Sequence, residues 1–238
     1  MEKTERGSLL HGVFIFSGLI GMALIIGYTM LEFKSYERVV TVKGLSEREV
    51  PADIAVWPIR FSEAGNDLSS IYASMEKSQA KIIEYLQKKG FTPTEISIAT
   101  PSIVDKMAQQ YGGGTVAGLR YSASQGLTVR TGNVELVRMT MRTIAELGKT
   151  GIVFGGYEYQ VQPQFLYTKL NDLKPQMIEE ATRSARTVAE KFASDSNSKL
   201  GKIRTASQGQ FSMEDLDVST PHIKKIRVVS TVEYYLSD

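Results

Sequence analysis

Cysteine is absent from the 238 residues. Without a thiol there is no disulfide framework, no thiolate nucleophile and no Cys-ligated zinc or iron–sulfur centre. The absence is compatible with an oxidising envelope compartment. Histidine is nearly absent too, at His11 and His222. His11 falls in an apolar run and His222 follows Pro221 in an expected loop, so a His-based metal site or catalytic triad is hard to build. An excess of either charge is also missing. Lys and Arg number 28 against 26 Asp and Glu, a net charge of +2, and no basic stripe is interleaved with aromatics. That balance lacks the electrostatic footprint of a nucleic-acid binder. Low-complexity linkers and short-period repeats are lacking as well. The expectation is a protein without enzymatic activity, cofactor or metal.

What the chain does have is one long apolar run. In residues 9–31 only His11 can carry charge. As a helix the run spans about 34 Å at about 1.5 Å per residue, enough for a hydrocarbon core of about 30 Å. No small-x-small cleavage site follows, and Tyr28, Met30 and Phe33 are bulky. The run therefore reads as an uncleaved signal anchor rather than a removable leader. Ser17 with Gly21, and Ala23 with Gly27, form small-xxx-small pairs, candidates for anchor packing. Lys3 and Arg6 before the span are nearly balanced by Lys34, Arg38 and Lys43 after it, so the positive-inside rule decides little. The short segment before the span and the large part after it favour a single-pass anchor. The C-terminal domain would then lie outside the cytoplasm, in the periplasm. Residues 1–36 form the cytoplasmic tail and anchor in this reading, and 37–238 the exported domain.

Three later segments carry helical period. In 67–89 the stripe is Leu68, Ile71, Met75, Ile82 and Leu86, with Gly90 as a stop. In 133–147 it is Val134, Val137, Met141 and Ile144, with Asn133 as N-cap. In 173–196 it is Met177, Ala181, Ala185, Val188 and Phe192, with Pro175 in the first turn. The alanines on that last stripe suggest a close approach to a sheet. Strand-like alternation fills the rest, with Pro58 marking an edge or bulge in 54–61. The order ββαββαβαββ contains β-α-β-β-α-β over 53–168, a ferredoxin-like lobe. Residues 38–50 and 170–238 close a second lobe. The fold class is α+β: antiparallel sheets with helices packed on them.

Several motifs invite a chemical reading. Gly148-Lys149-Thr150 lacks the leading glycine of a P-loop, since Thr143 stands there, and a helix precedes it where a strand should. Lys149 reads instead as a cation at a helix end. Tyr111 to Gly118 holds Gly112, Gly113 and Gly114, a hairpin tip that is a candidate oligomer or rim loop. Glu214, Asp215 and Asp217 lack EF-hand spacing and read as a solvated loop. Tyr157, Tyr159, Phe165 and Tyr167 read as a packed strand face, and Trp57 as core or subunit contact. Nine methionines are unexceptional for this length, so they carry little antioxidant meaning.

The opening Val39-Val-Thr-Val-Lys-Gly44, the following Glu49-Val-Pro-Ala-Asp53, the helix Ala181–Ala193 with Lys199-Leu-Gly-Lys-Ile203, and the strand Ile226–Tyr235 together resemble the SIMPL-domain family. The segment Ser194–Lys199 departs from it, standing where a shorter Gly-containing turn is expected. The resemblance implies an exported envelope protein of largely unknown biochemical function. Some members are linked to oxidative-stress defence and some form ring- or channel-like homo-oligomers. It supplies no active site. The leading expectation is a membrane-anchored envelope homo-oligomer with a scaffolding or stress-protective role. The alternative is a periplasmic module that captures a small ligand or envelope protein partner between its lobes.

Overall fold

The computed structural model describes residues 2–35, 38–108, 118–155 and 162–237, and within the first helix the side chains of 14–30. Gly112, Gly113 and Gly114, with Tyr157 and Tyr159, lie outside the described residues. An unbroken helix, α1 (Glu2–Ser35), opens the chain. Its described side chains are exposed around the whole circumference, with Gly21 alone half-buried. The hydroxyls of Ser17 and Thr29 donate back to the carbonyls of Phe14 and Ile25, at 3.0 and 2.9 Å. Ser17 and Ala23 are exposed, and a Cβ built on Gly21 or Gly27 would meet nothing within 4 Å. Among the described residues, which include the side chains of only 14–30 of α1, no helix is long and apolar enough to cross a membrane.

The chain divides into two units. The first comprises Met1–Glu47, Lys174–Ser212 and Arg227–Asp238, the second Arg48–Leu173 and Met213–Ile226. Residues 213–226, grouped by sequence with the other lobe, thus fall in unit 2 with β2. The antiparallel sheets and packed helices are those of an α+β protein.

Unit 1 takes its core from β1 (Val39–Pro51), β10 (Ile223–Ser237) and α5 (Leu170–Asp195). The sheet order is β1-β10-β8, where β8 is Lys199–Gln208, and β9 (Ser212–Asp215) also pairs with β10. Val42, Val232 and Tyr234 pack against Ala185 and Ala189. The buried residues of α5 are Met177, Ala181, Ala185, Ala189 and Ala193, each four after the last. A helix whose buried stripe is alanine can lie close to the sheet below. It begins at Leu170, so Pro175 sits past the first turn, contrary to expectation. Pro175 and Asn171, whose carbonyl loses its partner, are both exposed, so water can replace the missing donor. At the other end Asn197 adopts φ 53°, and the Ser198 amide donates to the Ala193 carbonyl at 2.8 Å. Asparagine there supplies the left-handed conformation that glycine would otherwise supply, which accounts for the Gly-free turn at 194–199.

Unit 2 is built on β2 (Ile54–Gly65) and β5 (Tyr121–Thr131), antiparallel in unbroken register from Ala55↔Thr131 to Gly65↔Tyr121. The order is β3-β5-β2-β6, with β3 Ile96–Ile98 and β6 Val153–Phe154. In addition β4 (Ser102–Asp105) pairs β5, and β7 (Gln164–Leu166) pairs β2. The helix α2 (Leu68–Lys89) starts on the Asp67 carboxylate, which accepts from the Ser70 amide, and stops at Gly90 with φ 108°. The hydroxyls of Ser69 and Ser70, with that amide, hold the Asp67 carboxyl at about 2, below its ordinary 3.8. The next helix, α3 (Val134–Thr143), is capped by Asn133 and broken at Ile144 before α4 (Ala145–Gly148). Phe61, Ile82, Leu86, Leu127, Val129 and Val137 fill the core beneath α2 and α3.

Pro58 is at neither a sheet edge nor a bulge in the β2–β5 register. A residue in a strand points its N–H and C=O to one side, and the side alternates along the chain. The Gly155 amide donates to the Arg60 carbonyl at 3.1 Å, so Arg60 faces the β6 side, and Pro58 two residues earlier does too. On that side β7 pairs Ile54–Val56 and β6 pairs Phe61 and Ser62, with no described strand beside Trp57–Arg60. The missing donor of Pro58 thus falls where no described strand asks for one.

Candidate functional site

Beside this stretch of β2 lies a cavity of about 780 Å³. All of its described lining belongs to unit 2. Trp57 and Ile59 of β2 and Phe165 of β7 supply an apolar floor; each is buried. Met141 and Ile144, at the end of the α3 stripe, supply a second apolar wall. Loop residues Val218 to His222, between β9 and β10, close a third.

The polar groups stand at fixed places on these walls. Arg138 and Arg142, four residues apart on α3, share one face of the helix. Arg138 donates to the Glu135 carboxylate at 2.5 Å. Among the described residues no carboxylate pairs with Arg142. Arg60 adds a third guanidinium to the lining, which contains no Asp or Glu among its described residues. The loop is ordered by Asp217, which accepts from the Ser219 and Thr220 amides at 2.6 and 2.7 Å and from the Thr220 hydroxyl at 2.6 Å. These bonds hold the Asp217 carboxyl below its ordinary 3.8. His222 is tied down by its carbonyl, which accepts from the Ala52 amide at 2.8 Å. Its ring meets Phe165 edge-on, with centroids 6.1 Å apart. Burial first, then the Arg138 cation, push the imidazole below its ordinary 6.5, against Glu135 and Asp217. The shift favours the neutral ring of His222, so the positive charge of the wall is mainly that of arginine.

An apolar cavity with a few convergent polar groups is suited to holding and orienting a ligand. The other motifs are absorbed by structure. Asp215 is bonded to the buried Lys224. Lys149 and Thr150 close α4: their amides donate to Glu146 and Leu147 carbonyls at 3.2 and 2.9 Å, and β6 follows. The stems of the 112–114 loop are clamped where Arg120 grips Asp105 at 2.7 Å and its guanidinium lies 4.7 Å from the Tyr121 ring. Among the described residues no group of three His, Cys, Asp or Glu could hold a metal ion. Trp57, expected in a core or a subunit contact, is buried and forms cavity wall. Sequence reasoning passed over Arg138 and Arg142. Their signal was two arginines at i, i+4 beside Met141 on an otherwise apolar stripe.

The described strands and the cavity lie between Val39 and Ser237. No curated protein matches the chain. A family model does match, over residues 40–234 of the 238. The chain therefore belongs to the SIMPL family, described as a protein of unknown function (DUF541).

Proposed function

We propose that this SIMPL protein is a binding module tethered to a membrane by α1, taking a small ligand into the cavity beside β2. The cavity carries the reading: about 780 Å³, apolar floor, guanidinium wall. Its size is within the range of about 300–1,000 Å³ usual for small-molecule sites. The tether is supported by the apolar run 9–31 and by the continuity of the helix from Glu2 to Ser35. In this reading the helix crosses the inner membrane once and the SIMPL domain lies in the periplasm. The strand order β3-β5-β2-β6 supports a ferredoxin-like description of unit 2. The role is capture rather than catalysis.

The test is a thermal-shift screen of the full chain against envelope metabolites, in parallel with Ile144→Trp, which fills the cavity. A ligand at a hundred times its Kd stabilises by about 2.7 kcal/mol. At least one compound should raise the melting temperature of the native chain and leave the filled variant unmoved. Equal behaviour of the two proteins across the screen removes the reading.

Self-assembly into a homo-oligomeric scaffold is the second reading. Phe192 at 55% and Ile203 at 49% exposure, both in unit 1, favour it. Light scattering in mild detergent should then give one discrete mass of several chains, and a monomer would dismiss it.

A further inference from the structure

Resting on the binding-module reading, we infer that the cavity ligand is a small amphipathic anion, an apolar body carrying one carboxylate or phosphate head. The chain as a whole is charge-balanced, with 28 basic and 26 acidic residues. The described lining of the cavity is not: it includes Arg60, Arg138 and Arg142 and no carboxylate. Glu135 neutralises Arg138 in part from outside the lining, and Asp217 spends its oxygens on its own loop. That leaves Arg142 as the guanidinium with no carboxylate partner among the described residues. A planar guanidinium presents paired donors that match a carboxylate or phosphate head. The neutral His222 neither competes for that head nor repels it. The buried lining residues Trp57, Ile59 and Phe165 have no polar group to offer a second charge except the indole N–H. A ligand charged at both ends would strand one charge there, and a wholly apolar one would make no use of Arg142. One apolar end and one anionic end satisfy both walls.

Trp57 is the sole tryptophan and lines this cavity, so its emission reports occupancy without a label. The full chain in mild detergent is titrated with octanoate, octyl phosphate and the neutral octanamide. At least one anion should shift Trp57 emission saturably, at about tenfold lower concentration than octanamide, as loss of a charge-assisted hydrogen bond implies. Arg142→Gln should erase that tenfold preference, and Arg142→Lys should keep part of it. Position 142 is exposed, and unchanged circular dichroism confirms that both variants fold. Octanamide binding as tightly as the anions, or a preference that survives Arg142→Gln, overturns the inference and leaves the cavity a binding site. No saturable response from any of the three overturns the binding-module reading as well.

Discussion

Replacing Gly44 by alanine should destabilise the protein by about 3 kcal/mol or more, the upper end of what overpacking costs. A Cβ at position 44 would stand 1.8 Å from the Ala181 carbonyl oxygen and 2.4 Å from the Ala185 amide nitrogen. Those are the two atoms that close one turn of α5. Neither is the far end of a side chain, so no rotamer relieves the overlap. Either the helix retreats from β1 or the strand bends away, and both separate Val42 from Ala185. For a chain of this size the loss corresponds to a melting temperature about 6–12 °C lower. Gly126→Ala is the matched control, because its Cβ would meet nothing closer than 3.9 Å, an ordinary contact. It should fall within about 0.5 kcal/mol of the native protein. Urea titration followed by circular dichroism separates the cases. A Gly44→Ala protein within 1 kcal/mol of native would mean that α5 does not lie against β1 at this distance.

Phe61→Ala should cost about 3–5 kcal/mol, the range for emptying an aromatic site in a packed core. Phe61 is fully buried, and on its strand it is registered with Gln125 of β5 on one side and Phe154 of β6 on the other. Its neighbours include residues held by backbone pairing, so the site can collapse only partly. The loss should appear in urea titrations followed by Trp57 emission, because Trp57 belongs to the same core. Phe61→Leu, which keeps much of the volume, should cost markedly less. If the alanine and leucine variants lose stability equally, the penalty does not come from an unfilled volume.

Both effects trace to positions of uneven legibility in the chain. The alanine spacing of α5 pointed to a close helix–sheet approach, and that approach exists. The residue that receives it, Gly44, is a lone glycine in a strand and gave no sign of its partner, since Ala181 is far along the chain. Caps were legible because they are local: Asn133 accepts from the Leu136 amide, and Gly90 holds the left-handed end of α2. Pro58 misled for the opposite reason. Proline in a strand implies a side whose donor no neighbour uses, but only sheet order shows Pro58 within a strand paired throughout on its other side, with no described strand beside it on this one. The start of α5 was placed late because proline suits a first turn, and exposure of Asn171 and Pro175 let the helix begin sooner. The cavity was the least legible feature. Its described walls come from 57–60, 138–144, 154–155, 162–165 and 218–222, five segments that share no motif and meet only after β2, α3, β6, β7 and the β9–β10 loop are placed.

The interrupted flank of β2 has a consequence for how the molecule behaves among its own kind. Among the described residues no strand pairs with Trp57–Ile59 on that flank, and a row of unpaired backbone is the sort onto which a foreign strand can add, the first step of aggregation. Pro58 sits in that row, offering a ring where an incoming strand needs a donor. A strand from another molecule would find its ladder broken at that rung. Pro58, which also lines the cavity, thus keeps the sheet from growing there, a protection that crowding would put to use.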